Sequence, residues 1–264
     1  MDVGLVRDLL TMLVGAITGV LSALFGVGGA IVSTPALRLL GASATTAIGT
    51  PLIGVLPSAI TGTIRYSRKQ LIDLRVVVTC GSAGAVLAIG GALVSHALPG
   101  DGHVVMLLTA VVLLWTARAV AQGPKVLVDA DGVAVDRGEP SVRRAAVIGV
   151  GAGFMSGLLG VGGGFLMVPA FVRLLHMPMR RAIATSLGCV GMFAVPGIVT
   201  HAIVGSIDWR FGVLLAIGVV PGAMLGSKIV IGASEDRLRI GMAIFLVVVA
   251  VVFGVGEIIA VVSD

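Results

Sequence analysis

GAITGVLSALFGVGGAIVSTP (residues 15–35) and GVGAGFMSGLLGVGGGFLMVP (residues 149–169) are two versions of one string, 134 positions apart. Gly15, Gly19, Ser22, Gly26, Val27, Gly28, Gly29 and Pro35 recur as Gly149, Gly153, Ser156, Gly160, Val161, Gly162, Gly163 and Pro169. After a one-residue insertion the match continues. Arg38-Leu39-Leu40 returns as Arg173-Leu174-Leu175, and Ala47-Ile48-Gly49-Thr50 as Ala182-Ile183-Ala184-Thr185. Ile72-Asp73-Leu74-Arg75 returns as Ile207-Asp208-Trp209-Arg210. A near-constant spacing held over roughly 60 residues marks an internal duplication.

Both strings are free of charge, and so is most of the chain around them. Of 264 residues, 57% are apolar and 12% charged, against about 25% charged in soluble domains. With a mean hydropathy of +1.13, this composition excludes an ordinary soluble enzyme, a disordered chain and collagen. The 39 glycines follow no G-X-Y period and suit closely packed membrane helices. A net charge of +5 is explained by Lys and Arg kept in cytoplasmic loops. With one Tyr and two Trp, the chain lacks the aromatic–basic interleaving of a nucleic-acid binder. Cys80 and Cys189 sit in apolar stretches without ligand spacing and read as buried inert thiols. No metal or cofactor is called for. Asp2, Arg7 and Asp8 precede the first apolar run without a clear cleavage site, so the N-terminus is read as retained.

Eight runs contain no Asp, Glu, Lys or Arg: 9–37, 39–64, 76–100, 102–117, 145–172, 182–207, 211–227 and 240–256. Each can host a helix, since a crossing takes about 20 apolar residues and lipid obliges the backbone to bond internally. The stretch 122–144 holds eight charges in 23 residues and reads as a solvated linker. The expected fold is an all-α polytopic membrane protein of two tandem repeats, 1–121 and 145–264, joined by linker 122–144. Each repeat is a Gly-rich broken-helix hairpin plus three spanning helices.

The first run of each repeat, 29 and 28 residues long, either crosses once or folds back at its glycines. Single crossings make the repeats parallel and divide Lys/Arg 11 to seven between the two sides. Hairpins make them inverted and divide the same residues 15 to three. The positive-inside rule selects the second division. Inverted repeats are therefore expected, with both termini outside and the linker in the cytoplasm.

Gly26-Val27-Gly28-Gly29 and Gly160-Val161-Gly162-Gly163-Gly164 then become hinges at membrane depth. Clustered glycines cost a helix about 1 kcal/mol each. They are useful where the chain turns sharply or something approaches the backbone closely. Half-helices starting at about 30 and 164 would point their N-termini at the midplane, where free N–H groups and the positive dipole end suit an anion. The spaced glycines Gly15/Gly19 and Gly149/Gly153/Gly157 are assigned to helix packing. No Gly-Lys-Ser/Thr follows either hinge, so neither is a nucleotide loop.

At these residues the chain resembles the sulfite exporter TauE/SafE family of membrane permeases. The likeness rests on GVGGGFLMVP (Gly160–Pro169), its copy GVGGAIVSTP (Gly26–Pro35), Ala184-Thr185-Ser186-Leu187, and Gly205-x-Ile207-Asp208 ahead of a Gly-rich helix from Gly218 to Gly226. It covers essentially the whole chain outside 122–144. The resemblance implies export of a small sulfur oxyanion or organosulfonate across a bacterial cytoplasmic membrane. The first repeat departs from the pattern. Ala30 replaces a third glycine, and Gly49-Thr50-Pro51 stands where the second repeat has Ala184-Thr185-Ser186. Unequal half-sites follow.

The expected substrate-binding set is Gly26, Gly28, Gly29, Gly160, Gly162, Gly163 and Gly164, with the hydroxyls of Thr50, Thr185 and Ser186. A hydroxyl binds an oxyanion without the cost of burying a charge. Ser22 and Ser156 are read as packing, and Ser33 and Thr34, unique to the first repeat, as weaker candidates. His201, matched by Tyr66, reads as interfacial; Asp73 and Asp208 read as helix caps. No carboxylate is central in a charge-free run, which disfavours a buried Asp/Glu proton relay. The chain carries no ATP-binding or redox constellation and is not read as an enzyme. The expected mechanism is alternating access driven by a gradient, with a small anion and the bilayer as its partners. Uptake, or service as a non-transporting membrane subunit, are the competing readings.

Overall fold

The fold is taken from a computed structural model that describes residues 3–97, 103–122, 141–160 and 162–263. Most of the expected linker, together with Val161, therefore lies outside the described residues. The described chain is helical: α1 Val3–Phe25, α2 Ala30–Leu39, α3 Ala44–Gly49, α4 Pro51–Ser67, α5 Leu74–Ala97, α6 His103–Ala121, α7 Val142–Leu159, α8 Gly164–Leu174, α9 Met179–Ile203, α10 Trp209–Gly232 and α11 Glu235–Ser263. Seven apolar helical stretches are long enough to cross a bilayer: α1, α3–α4 taken together, α5, α7, α9, α10 and α11. The apolar part of α6, Leu107–Ala121, is shorter. Leu, Ile and Val side chains line long exposed faces, including Val86, Leu93, Val111 and Ile244, as lipid-facing helices require.

The Gly-rich run of the second repeat is a hairpin. Arg144, in the first turn of α7, donates to the carbonyl of Leu174 at the end of α8, at 3.2 Å. The chain thus returns to the side from which it came. The hairpin is not a pair of short helices, however. Its first arms have 23 and 18 residues, its second arms 10 and 11. The first arms outrun the charge-free stretches because Arg7, Asp8, Arg143 and Arg144 are accommodated in their outer turns, where a long charged side chain reaches water.

The long arms make the tightest packing in the molecule, each against a helix of the other repeat. Along α1 and α10, Gly15 meets Leu215 and Gly19 meets Val219 and Ala223, while Gly218, Gly222 and Gly226 meet Met12, Ala16 and Val20. Along α7 and α5, Gly149 meets Cys80, Gly153 meets Gly84 and Gly157 meets Ala88. A Cβ at any of these glycines would overlap a carbonyl of the facing helix, so the small residues set the interaxial distance. Both pairs run parallel. The equivalent helices α4 and α9 run antiparallel: Gly62 faces Leu187, Ala59 faces Gly191, and Leu52 faces Gly197. The repeats are interlocked rather than side by side.

Among the described residues, ion pairs between helices lie at the helix ends. At one end Arg173 bonds Gln122 at 2.8 Å, Arg180 reaches Glu235 at 3.7 Å, and Arg181 faces Asp73 at 3.9 Å. At the other, Arg210 pairs with Asp8 at 2.7 Å. Between them, the described buried polar side chains are Ser, Thr and His201.

Candidate functional site

The hinges meet. Each has three glycines with left-handed φ at matching positions, Gly26, Gly28 and Gly29 against Gly160, Gly162 and Gly163. A Cβ built on Gly28 would lie 3.7 Å from the Cα of Gly162, and one on Gly162 would lie 3.0 Å from the carbonyl oxygen of Val27. At Gly164 a Cβ would collide with the Gly26 carbonyl and stand 2.7 Å from the Cα of Val27. Two backbones approach closely here, as glycine permits, and Val190 Cγ1 packs against both, 2.5 Å from a Cβ built on Gly28 and 3.6 Å from one on Gly162. Gly28 (φ 89°) and Gly162 (φ 91°) form the centre of the contact.

Four helix termini converge on this contact: the C-terminal ends of α1 and α7 and the N-terminal ends of α2 and α8. The α2 and α8 ends bring two sets of N–H groups and two positive dipole ends to one buried point. One of the opposing carbonyls is already in reach of a donor, since Ser186 Oγ lies 3.0 Å from Gly26 O and 2.9 Å from Ile183 O and shares its single proton between them. The α1 and α7 ends bring two negative dipole ends to the same place, and the amides of Gly26, Gly160 and Gly164 are already bonded, to Ser22 O at 2.8 Å, Ser156 O at 3.0 Å and Gly162 O at 2.8 Å.

A family model described as sulfite exporter TauE/SafE matches residues 11–253. The chain belongs to the TauE/SafE family. A probable membrane transporter protein of Bacillus subtilis, YunE, is 30% identical over 248 residues, covering 86% of this chain and 87% of its own. Probable membrane transporter proteins of Methanocaldococcus jannaschii and Xylella fastidiosa are 26% and 27% identical, each covering 90% of this chain and 91% and 90% of their own. No solved structure matches. This TauE/SafE chain is accordingly a multi-pass membrane transporter.

The remaining residues expected at the site sit around the hinge junction rather than in it. Thr50 Oγ1 accepts the amide of Asp208 at 2.9 Å, and Thr185 Oγ1 accepts the amide of Asp73 at 3.1 Å. The two bonds are equivalents, each tying a helix of one repeat to the interhelical loop of the other. Asp208 caps α10 through the amides of Arg210 and Phe211 (3.0 and 3.2 Å), and Asp73 caps α5 through that of Val76 at 3.1 Å. His201, in the last turn of α9, is buried within the protein, with Nδ1 2.8 Å from Ser206 Oγ. Its counterpart Tyr66 donates to Ala23 O at 2.6 Å. Side chains thus hold the helices around the junction, and backbone forms the junction itself.

Two buried hydroxyls that sequence reading passed over, Thr18 and Ser58, also lie in this region. Ser58 Oγ donates to Ser22 Oγ at 2.6 Å. The methyl of Thr18 stands 2.8 Å, and Ser22 Oγ 3.5 Å, from a Cβ built on Gly29. Neither Thr18 nor Ser58 has a hydroxyl at its duplicate position, so matching the repeats draws no attention to them. A column-by-column search for differences would have found both. Two cavities beside α8 share Pro169 and Arg173 in their linings but include no hinge glycine.

Proposed function

We propose that the protein exports a small anion, sulfite or a related sulfur oxyanion or organosulfonate, across the bacterial cytoplasmic membrane by alternating access. The observation that carries this reading is the meeting of the α2 and α8 N-termini at a close backbone contact between the two glycine hinges in the buried interior. The substrate would lie between the hinges, against the backbone of Gly26, Gly28, Gly29, Gly160, Gly162, Gly163 and Gly164. Thr50, Thr185 and Ser186 form the rim, and their hydroxyls exchange partners as the hinges part.

The repeats, 1–121 and 145–264 around linker 122–144, are inverted in this reading. Both termini face outside and the linker faces the cytoplasm. The antiparallel passage of α4 and α9, the return of α8 to the start of α7, and the gathering of Arg144, Arg173, Arg180 and Arg181 at one end support it. Rocking of the interlocked repeats opens the junction to one side and then the other. An anion leaving a cell that is negative inside is driven by about 2.3 kcal/mol per charge per 100 mV, so no ATPase is required.

Purified protein in liposomes, given labelled sulfite, sulfate, thiosulfate and a short sulfonate under an imposed potential of either sign, tests the reading. Flux of one of these anions down the potential is expected. No flux of any of them would overturn it, and movement only towards the side bearing residues 122–144 would favour uptake.

A further inference from the structure

The two hinges share a backbone but not a lining. Around the start of α2 the first repeat gathers five buried hydroxyls: Thr18 and Ser22 on α1, Ser33 and Thr34 on α2, and Ser58 on α4, each at most 3% exposed. The duplicate positions in the second repeat are Ala152, Ser156, Met167, Val168 and Phe193. Four hydroxyls of the first hinge thus face apolar equivalents at the second. The first cluster is bonded in part. Ser58 donates to Ser22 at 2.6 Å, and Ser33 Oγ lies 3.3 Å from Gly29 O. The hydroxyl oxygens of Thr18 and Thr34 are buried without any partner. Thr18 rests by its methyl against Gly29, the residue that opens α2. Thr34 lies one helical turn beyond Ala30.

A buried hydroxyl without a partner is unfavourable. Valine fills the same volume without that cost, and this sequence uses valine freely, including at the duplicate of Thr34. The unpartnered hydroxyls of Thr18, which packs by its methyl on Gly29, and of Thr34, in the second turn of α2, are best satisfied by a guest rich in acceptor lone pairs. Lys and Arg are absent from the described buried residues, so the guest would be held by neutral donors alone. That chemistry fits a compact oxyanion with acceptors on every side and suits a bulky organic tail poorly.

We propose that the side-chain ligands of the transported ion come from one side of the pseudo-symmetric junction only. The ion is a compact oxyanion held by Thr18, Ser22, Ser33, Thr34 and Ser58 together with the first amides of α2, while the apolar second hinge serves as the surface against which the first one opens. The proposal rests on the transport reading above and assigns that site its residues and ligand class.

The test compares Thr18→Val, Thr34→Val and Ser58→Ala with Thr18→Ser and Ser156→Ala. All are full-length proteins, measured for flux of labelled sulfite, sulfate and a short sulfonate in liposomes and for thermal midpoint in detergent. Thr18→Val and Thr34→Val should unfold at the wild-type temperature or above it, because they remove an unpartnered polar group. They should raise KM for the transported ion about tenfold or more, the loss of one hydrogen bond to a charged group. Thr18→Ser should restore KM, Ser58→Ala should raise it, and Ser156→Ala at the other hinge should leave it unchanged. KM within twofold of wild type for both Val variants would overturn the assignment. A lowered thermal midpoint in both, which signals a structural role, would overturn it as well. An equal rise in Ser156→Ala would show a two-sided site. Absence of wild-type flux for either ion, with flux of the sulfonate, would overturn the compact-oxyanion assignment while leaving transport intact. Absence of all anion flux would remove the transport reading itself.

Discussion

The first hinge, residues 26–29, and the second, residues 160–164, follow the same path with different surroundings. Gly26 packs on the backbone of Ile183, and Gly160 packs on Ile48, its duplicate. Beside Ile183, Ser186 supplies a hydroxyl to Gly26 O. At the equivalent place beside Ile48 stands Pro51, which has no donor to offer. Pro51 also lacks the N–H that would continue a helix. The second repeat therefore has one unbroken helix, α9, where the first has α3 and α4 divided at Thr50. The duplicated parts are those a sharp turn and a close approach demand, whereas the side chains around them have diverged. Backbone geometry tolerates little variation where two backbones approach this closely, while lining residues are free to specialise.

The largest expected effect breaks that contact from one side. Gly164→Leu would drive a side chain into Gly26 and Val27. We expect loss of folded protein, a destabilisation of at least about 3 kcal/mol, read as failure to elute as a monodisperse peak. Ala30→Gly, the converse change at the duplicate position, should cost only about 1 kcal/mol of helix propensity. Equal losses in the two variants would mean that the hinges pack alike.

Gly28→Ala and Gly162→Ala come next. Each places a Cβ on a left-handed residue, which costs about 1–2 kcal/mol. At Gly28 the new atom also presses on Val190 Cγ1, 2.5 Å away, whereas at Gly162 it meets Val27 O at 3.0 Å. Both should lower the thermal midpoint, Gly28→Ala more, and a reversed order would place the tighter hinge in the second repeat.

Thr50→Val and Thr185→Val remove matched bonds to the amides of Asp208 and Asp73. Each should lose about 1 kcal/mol, equally in thermal unfolding, if these two ties have remained symmetric. A difference greater than twofold would show that they have diverged as the linings have. The smallest effect belongs to the charged ends. Arg181→Gln cuts a long, partly exposed pair with Asp73, for which about 0.5 kcal/mol or less is expected. The loss should shrink further in high salt.

The helical class, the duplication and the position of the turns were legible because each leaves a local mark: charge-free runs, repeated strings and clustered glycines. The length of the hairpin arms was less so. The charge-free run begins at residue 9 and α1 at Val3, because a terminal helical turn can hold Arg7 and Asp8 while its interior cannot. Thr50 and Thr185 were noticed for their matching positions, and their partners were invisible. Those partners are amides 158 and 112 residues away, in a loop of the other repeat, and nothing in a linear string pairs a hydroxyl with a distant N–H.

The sequence by itself determined that this chain spans a membrane as two related halves, each interrupted by a glycine cluster. Apolar length, charge placement and backbone freedom are properties of short segments. Only the tertiary structure decided that the hinges touch, that each long arm packs on a helix of the other repeat, and that Thr18, Ser22 and Ser58 gather at the first hinge. Those relations depend on how far two helices can close before a carbonyl meets a Cβ, and that distance is set jointly by residues more than a hundred positions apart.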